Sequence, residues 1–126
     1  MLVGTGTDII EIARIRHSIE RYGQRFLERI FTPGEIAFCE RKKNAAESYA
    51  GRFAAKEAAA KALGTGIARG VTWKEIEVVR KPGERPTLKL HGRAAVRAAV
   101  MGAHAASLSI THSRELALAT VLLESA

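Results

Sequence analysis

Four polar residues stand where this chain of 126 residues could do chemistry: Asp8, Glu57, Lys61 and His112. Glu57 and Lys61 are one helical turn apart in the stretch RFAAKEAAAKALGTG, Arg52 to Gly66, so they share a face with Phe53 one turn before them. One account of the pair is a helix salt bridge worth a few tenths of a kcal/mol. The other is a working carboxylate beside a working ammonium. Asp8 closes the run Gly4-Thr5-Gly6-Thr7-Asp8, where an aspartate serves either as a helix N-cap or as a functional carboxylate. His112 ends a segment whose Leu108 and Ile110 fall on its own face, a position that suits a structural histidine as well as a ligand contact. Two separate carboxylates with open positions suit Mg²⁺, which keeps waters and takes phosphate oxygens as further ligands. A nearby lysine suits phosphate as a point charge. P-loop, HExxH, CxxC and GxSxG signatures are all missing, so pattern alone supports a Mg²⁺–phosphate enzyme only in outline.

These residues need elements to hold them. Phe53 to Leu63 is almost entirely strong helix former, with no proline or glycine inside, and the helix is expected to begin near Ala45. Gly64 and Gly66 supply its stop. Its alanine face admits another backbone or a bulky ligand at close range. Leu2 to Ile9 predicts a strand: Val3, Thr5, Thr7 and Ile9 lie on one face, and Leu2, Gly4, Gly6 and Asp8 on the other. Glycine within a strand marks close approach by a backbone or a ligand.

A helix follows with Ile12, Ile15, Ile19 and Tyr22 at helical spacing, ended by Gly23. Arg14 and Arg21 lie two turns apart on it and Arg25 a turn further on, a basic stripe that is either a solvated face or a docking surface. Phe26 to Phe31 reads as a short turn. Thr32-Pro33-Gly34-Glu35 spells a capping box for a helix running to about Lys43. From Val71 the period becomes two, giving strands Val71 to Arg80 and Thr87 to His91 about a Pro82-Gly83 hairpin loop. Arg93 to His104 reads as a helix, and Ser107 to His112 and Leu116 to Leu123 as closing strands. The last is apolar on both faces, as a central strand would be. The expected architecture is α+β, one domain over 1–126, with an antiparallel sheet packed by helices.

Composition bounds the function. Apolar residues at 47% and charged residues at 26% fit an ordinary globular chain. The first ten residues carry neither a basic n-region nor an apolar h-region, and no apolar run reaches membrane-spanning length. Cys39 is the only cysteine, which excludes an intrachain disulfide and favours a reducing cytoplasm; it reads as a small packing residue. The net charge of +7 calls for an acidic partner. A small basic nucleic-acid-binding module would use that charge without needing Asp8 and Glu57. Against it, aromatic residues for base stacking make up only 6%, and carboxylates in a phosphate groove would repel the backbone.

The order of the pieces adds more. Gly6-Thr7-Asp8-Ile9, the Phe53-Ala-Ala-Lys-Glu-Ala core and Ser109-Ile110-Thr111-His112-Ser113 together resemble the holo-acyl-carrier-protein synthase family of the 4′-phosphopantetheinyl transferases. The resemblance runs over essentially the whole chain, including Arg29-Ile30-Phe31-Thr32 with Glu35, and the Gly83-x-x-Pro86 hairpin. It implies transfer of 4′-phosphopantetheine from coenzyme A to a serine of apo-acyl-carrier protein in fatty acid biosynthesis. Polyketide or peptide synthase carriers are the alternative acceptors. By the same resemblance Asp8 and Glu57 match Mg²⁺ ligands, with Glu57 also the candidate base. Lys61 matches a phosphate contact, and Arg52, Gly64, Pro86 and His112 match positions near the nucleotide. Arg14, Arg21 and Arg25 would dock the acidic carrier protein, and short members of the family assemble as homotrimers with sites between subunits.

Overall fold

The computed structural model describes residues 1–67 and 69–126. Strand β1 (Leu2–Glu11) leads into helices α1 (Ile12–Tyr22), α2 (Gln24–Ile30), α3 (Pro33–Glu40) and α4 (Ala45–Ala62). A 3₁₀ turn (Trp73–Glu75) and strands β2 (Ile76–Val79) and β3 (Thr87–Leu90) follow. Helix α5 (Gly92–Met101) and strands β4 (Ala105–His112) and β5 (Leu116–Glu124) complete the order. All pairings are antiparallel, as expected, but they make two sheets: β1-β5-β4 and the separate hairpin β2-β3. Strand β5 is central, in keeping with its apolar pattern.

Helix α4 is the centre of the core. Eleven of its eighteen residues are buried, most of them alanine, and it lies across β1 and β5. Small side chains let the backbones close up. At Gly4 and Gly6 any Cβ would run into the carbonyl oxygens of Ala62 and Ala58, so glycine is what the strand needs there. The rest of the core joins Ile12, Ile15, Leu27, Phe31, Tyr49 and Val121 to these alanines.

Local chemistry accounts for several boundaries. Thr32 and Glu35 complete a reciprocal capping box, with Pro33 at the first helical position. Asn44 caps α4 by accepting from the Glu47 N–H. Elsewhere the sequence expectation shifts. The expected turn at Phe26 to Phe31 is helix α2, which buries Leu27 and Ile30. Asp8 does not cap α1: β1 continues through Glu11, because Ile9 and Ile10 still pair with Leu118 and Ala117 of β5. The strand expected from Val71 starts only at Ile76, since Thr72 and Glu75 form a second capping box around the 3₁₀ turn. Helix α5 stops at Met101, where Gly102 takes φ +77° and closes the helix.

Candidate active site

One group of candidates gathers where β1 crosses the end of α4. Lys61 Nζ donates to Asp8 Oδ1 at 3.0 Å and to the Thr7 carbonyl at 3.0 Å. The one-turn spacing of Glu57 and Lys61 therefore does not make a Glu57–Lys61 bridge, for the ammonium reaches across to β1 instead. Glu57, half-buried, shares this corner. Burial raises its carboxyl pKa, the Asp8 charge raises it further, and Lys61 opposes both. Two carboxylates whose charges disfavour each other, beside a half-exposed lysine, form an acidic corner suited to a hard cation with phosphate. Gly64 follows Lys61 at the end of the same helix with φ +78°, where Arg97 Nε donates to the adjoining Leu63 carbonyl.

The second group lies elsewhere. Arg52, Pro86 and His112 line a cavity of about 620 Å³ that none of Asp8, Glu57, Lys61 or Gly64 lines. Its floor is the start of α4, and its walls are the end of α3 and the β2-β3 loop. Lys42, Lys43, Arg80 and Arg85 add their charge to Arg52. The Arg52 side chain is buried, with its guanidinium 4.0 Å above the Phe38 ring and only long contacts to Ser48. Its Nε has no hydrogen-bond partner among the described residues. Arg52 lines the cavity together with four other cationic side chains, a lining that suits an anionic ligand. His112 stays half-exposed rather than pointing into the core, with Nε2 3.3 Å from Glu47 Oε1.

Sequence reasoning missed Lys42, Lys43, Glu47, Arg80 and Arg85. The Lys42-Lys43 pair and the basic residues flanking Pro82-Gly83 were the available signals, though only the fold brings these two loops together over Arg52. The proposed docking residues divide as well. Arg14 and Arg21 are exposed on α1, but Arg25 belongs to α2, because Gly23 breaks the helix between them. Arg14 also borders a shallow groove with Ile10, His17, Phe26 and Phe53.

Residues 4–121 match the family described as the 4′-phosphopantetheinyl transferase superfamily, which sets the class of the fold and its site. The chain is 55% identical over 124 residues to a holo-[acyl-carrier-protein] synthase of Koribacter versatilis, covering 98% of this chain and 99% of that one. The solved holo-[acyl-carrier-protein] synthase of Neisseria meningitidis superposes with TM-score 0.88 at 35% identity, over 99% of this chain and all of that one. That of Helicobacter pylori, in complex with coenzyme A, gives TM-score 0.84 at 34% identity, over 95% and 99%. The chain belongs to the holo-[acyl-carrier-protein] synthase family of this superfamily.

Proposed function

We propose that this protein transfers 4′-phosphopantetheine from coenzyme A to a serine of apo-acyl-carrier protein, within one domain over 1–126. The observation that carries the reading is the cavity lined by Arg52 and four further cationic side chains, in a chain of this family. Coenzyme A is a nucleotide with several phosphates, and the Helicobacter pylori relative is solved in complex with it. Lys42, Lys43, Arg52, Arg80 and Arg85 hold its phosphates, while Pro86 and His112 border the nucleotide.

At the acidic corner Lys61 leaves Asp8 for a pyrophosphate oxygen, and the freed Asp8 with Glu57 fits Mg²⁺ through two carboxylates. When bound, the ion offsets charge building on the leaving phosphate. The serine Oγ bonds to the phosphorus on the pantetheine side, and the bond from that phosphorus to the bridging oxygen breaks. That oxygen departs with adenosine 3′,5′-bisphosphate, and the serine proton passes to Glu57. A carboxyl pKa raised by burial and by Asp8 suits Glu57 to that proton.

The acidic corner and the basic cavity are separate on one chain, and the outer face of β1-β5-β4 carries exposed Ile9, Leu116 and Leu122. A homotrimer covering that face, with one subunit's corner meeting its neighbour's cavity, answers both. Carrier proteins of fatty acid biosynthesis are the acceptors, met at Arg14, Arg21 and Arg25, and buried free Cys39 suits the cytoplasm. No described helix is long and apolar enough to cross a membrane. Mass spectrometry of apo-carrier protein incubated with this protein, Mg²⁺ and coenzyme A tests the reaction. A gain of one phosphopantetheine per carrier is expected, and an unmodified carrier refutes the reading.

A further inference from the structure

Lys56, immediately before Glu57, has a fully buried side chain. Its Nζ lies 2.8 Å from Glu35 Oε1 and donates to the carbonyls of Trp73 at 2.9 Å and Ile76 at 2.6 Å. Glu35 is as well occupied: Oε1 also accepts the Thr32 N–H at the cap of α3, and Oε2 accepts the Val78 N–H of β2 at 2.7 Å. One ion pair thus joins α4 to the start of α3 and to both ends of the turn into β2. The two outer walls of the basic cavity are continuations of these elements. Phe38 and Lys42 extend from α3, and Arg80 and Arg85 from β2, while Arg52 is one turn before Lys56 on α4.

A buried ion pair is a poor source of stability, because desolvating both ions offsets their attraction. Four backbone anchors on one pair are better explained by geometry than by energy. We infer that Lys56 and Glu35 are positioning residues, setting the α3 and β2-β3 walls against Arg52 so that the cavity fits coenzyme A. The inference rests on the cavity being the coenzyme A site.

The test reads position in the folded protein, well below its melting transition. The double variant Lys56→Met with Glu35→Leu leaves no lone buried charge, but it takes the side-chain acceptor from the Thr32 and Val78 N–H groups, so its melting temperature should fall while the chain still folds. Its coenzyme A dissociation constant, by calorimetry, should rise about tenfold or more, because the walls lose their anchors. Amide hydrogens of residues 76–90 should exchange faster. A folded double variant that binds coenzyme A as wild type does overturns the inference. Should the double variant not fold, Glu35→Gln decides. It keeps an acceptor for the Thr32 N–H and loses one for the Val78 N–H, so weakened binding supports the inference and unchanged binding overturns it. A wild-type protein that binds no coenzyme A refutes the functional reading instead, and hairpin exchange in the variants still reports whether the pair holds the walls.

Discussion

Lys61 on α4 pairs with Asp8 on β1, 3.0 Å across the gap between helix and sheet, and leaves its helical neighbour Glu57 without that cation. The pair is partly exposed, so it adds little to stability. Its consequence is electrostatic: it holds an ammonium on Asp8, close enough to Glu57 to oppose the rise of its pKa.

Asp8→Asn and Glu57→Gln should therefore each fold with nearly unchanged melting temperature. Each should lose about 100-fold or more in turnover, as removal of a proton acceptor or a metal carboxylate does. Steady-state rates across a Mg²⁺ titration check this. Near-normal turnover for either variant at ordinary Mg²⁺ would remove that carboxylate from the site.

Gly6→Ala should be far more damaging than an exposed strand substitution. The new Cβ would enter the space of the Ala58 carbonyl oxygen, and neither backbone has a flexible end to move. A loss of about 3 kcal/mol is expected by denaturant titration. Lys89→Ala on the exposed face of β3 is the control, with little change.

Much of this was legible in the sequence. The strand glycines and the alanine face of α4 each told of close approach by a backbone or a ligand, which the structure shows to be each other's backbone, and the apolar pattern of β5 told of its central place. Motif order, more than any single motif, identified the family. The basic cavity was not legible, because Lys42 and Arg85 are brought over Arg52 only by the packing of α3 and the hairpin. Nor was the Lys56–Glu35 pair: a helical lysine reads as exposed, and Glu35 already had a sufficient local explanation in its capping box.

Glu77 offers a pH test away from the acidic corner. Burial works to raise its pKa, but hydrogen bonds from His91 at 2.9 Å and the Thr32 hydroxyl at 2.8 Å outweigh it, and the folded value falls below 4.5. A depressed carboxylate stabilises the fold above its unfolded pKa and loses that contribution as pH falls through the folded pKa. Glu77→Gln should thus be less stable than wild type at neutral pH, by about 1 kcal/mol. The gap should close below about pH 4. Thermal melts across pH measure it, and a gap that widens in acid would contradict the sign.

Arg14→Glu with Arg21→Glu should weaken carrier-protein binding mainly through the association rate, and should flatten its dependence on salt. Both arginines are exposed on α1, away from the basic cavity, so coenzyme A affinity should be spared. Stopped-flow association at several ionic strengths provides the measurement. An unchanged salt slope returns these arginines to an ordinary solvated face.

The last expectation follows from the separation of the two halves of the site. Glu57 lies at the acidic corner with Asp8, whereas His112 lines the cavity with Arg52, bridged to Glu47. If one coenzyme A must touch both, Glu57 and His112 come from different subunits of a ring. A head-to-tail contact of this kind closes as a ring when its rotation divides the full turn. Glu57→Ala and His112→Ala should each be nearly inactive alone. Dissociated, mixed in equal amounts and reassociated, they give some interfaces that pair an intact Glu57 with an intact His112. Random assortment restores about a quarter of all sites, since each interface needs the right variant on both sides. Activity after exchange, with mass spectrometry of the mixed assemblies to show that subunits did exchange, is the measurement. Exchange without recovered activity would put both residues in one subunit's site, or leave His112 a structural partner of Glu47.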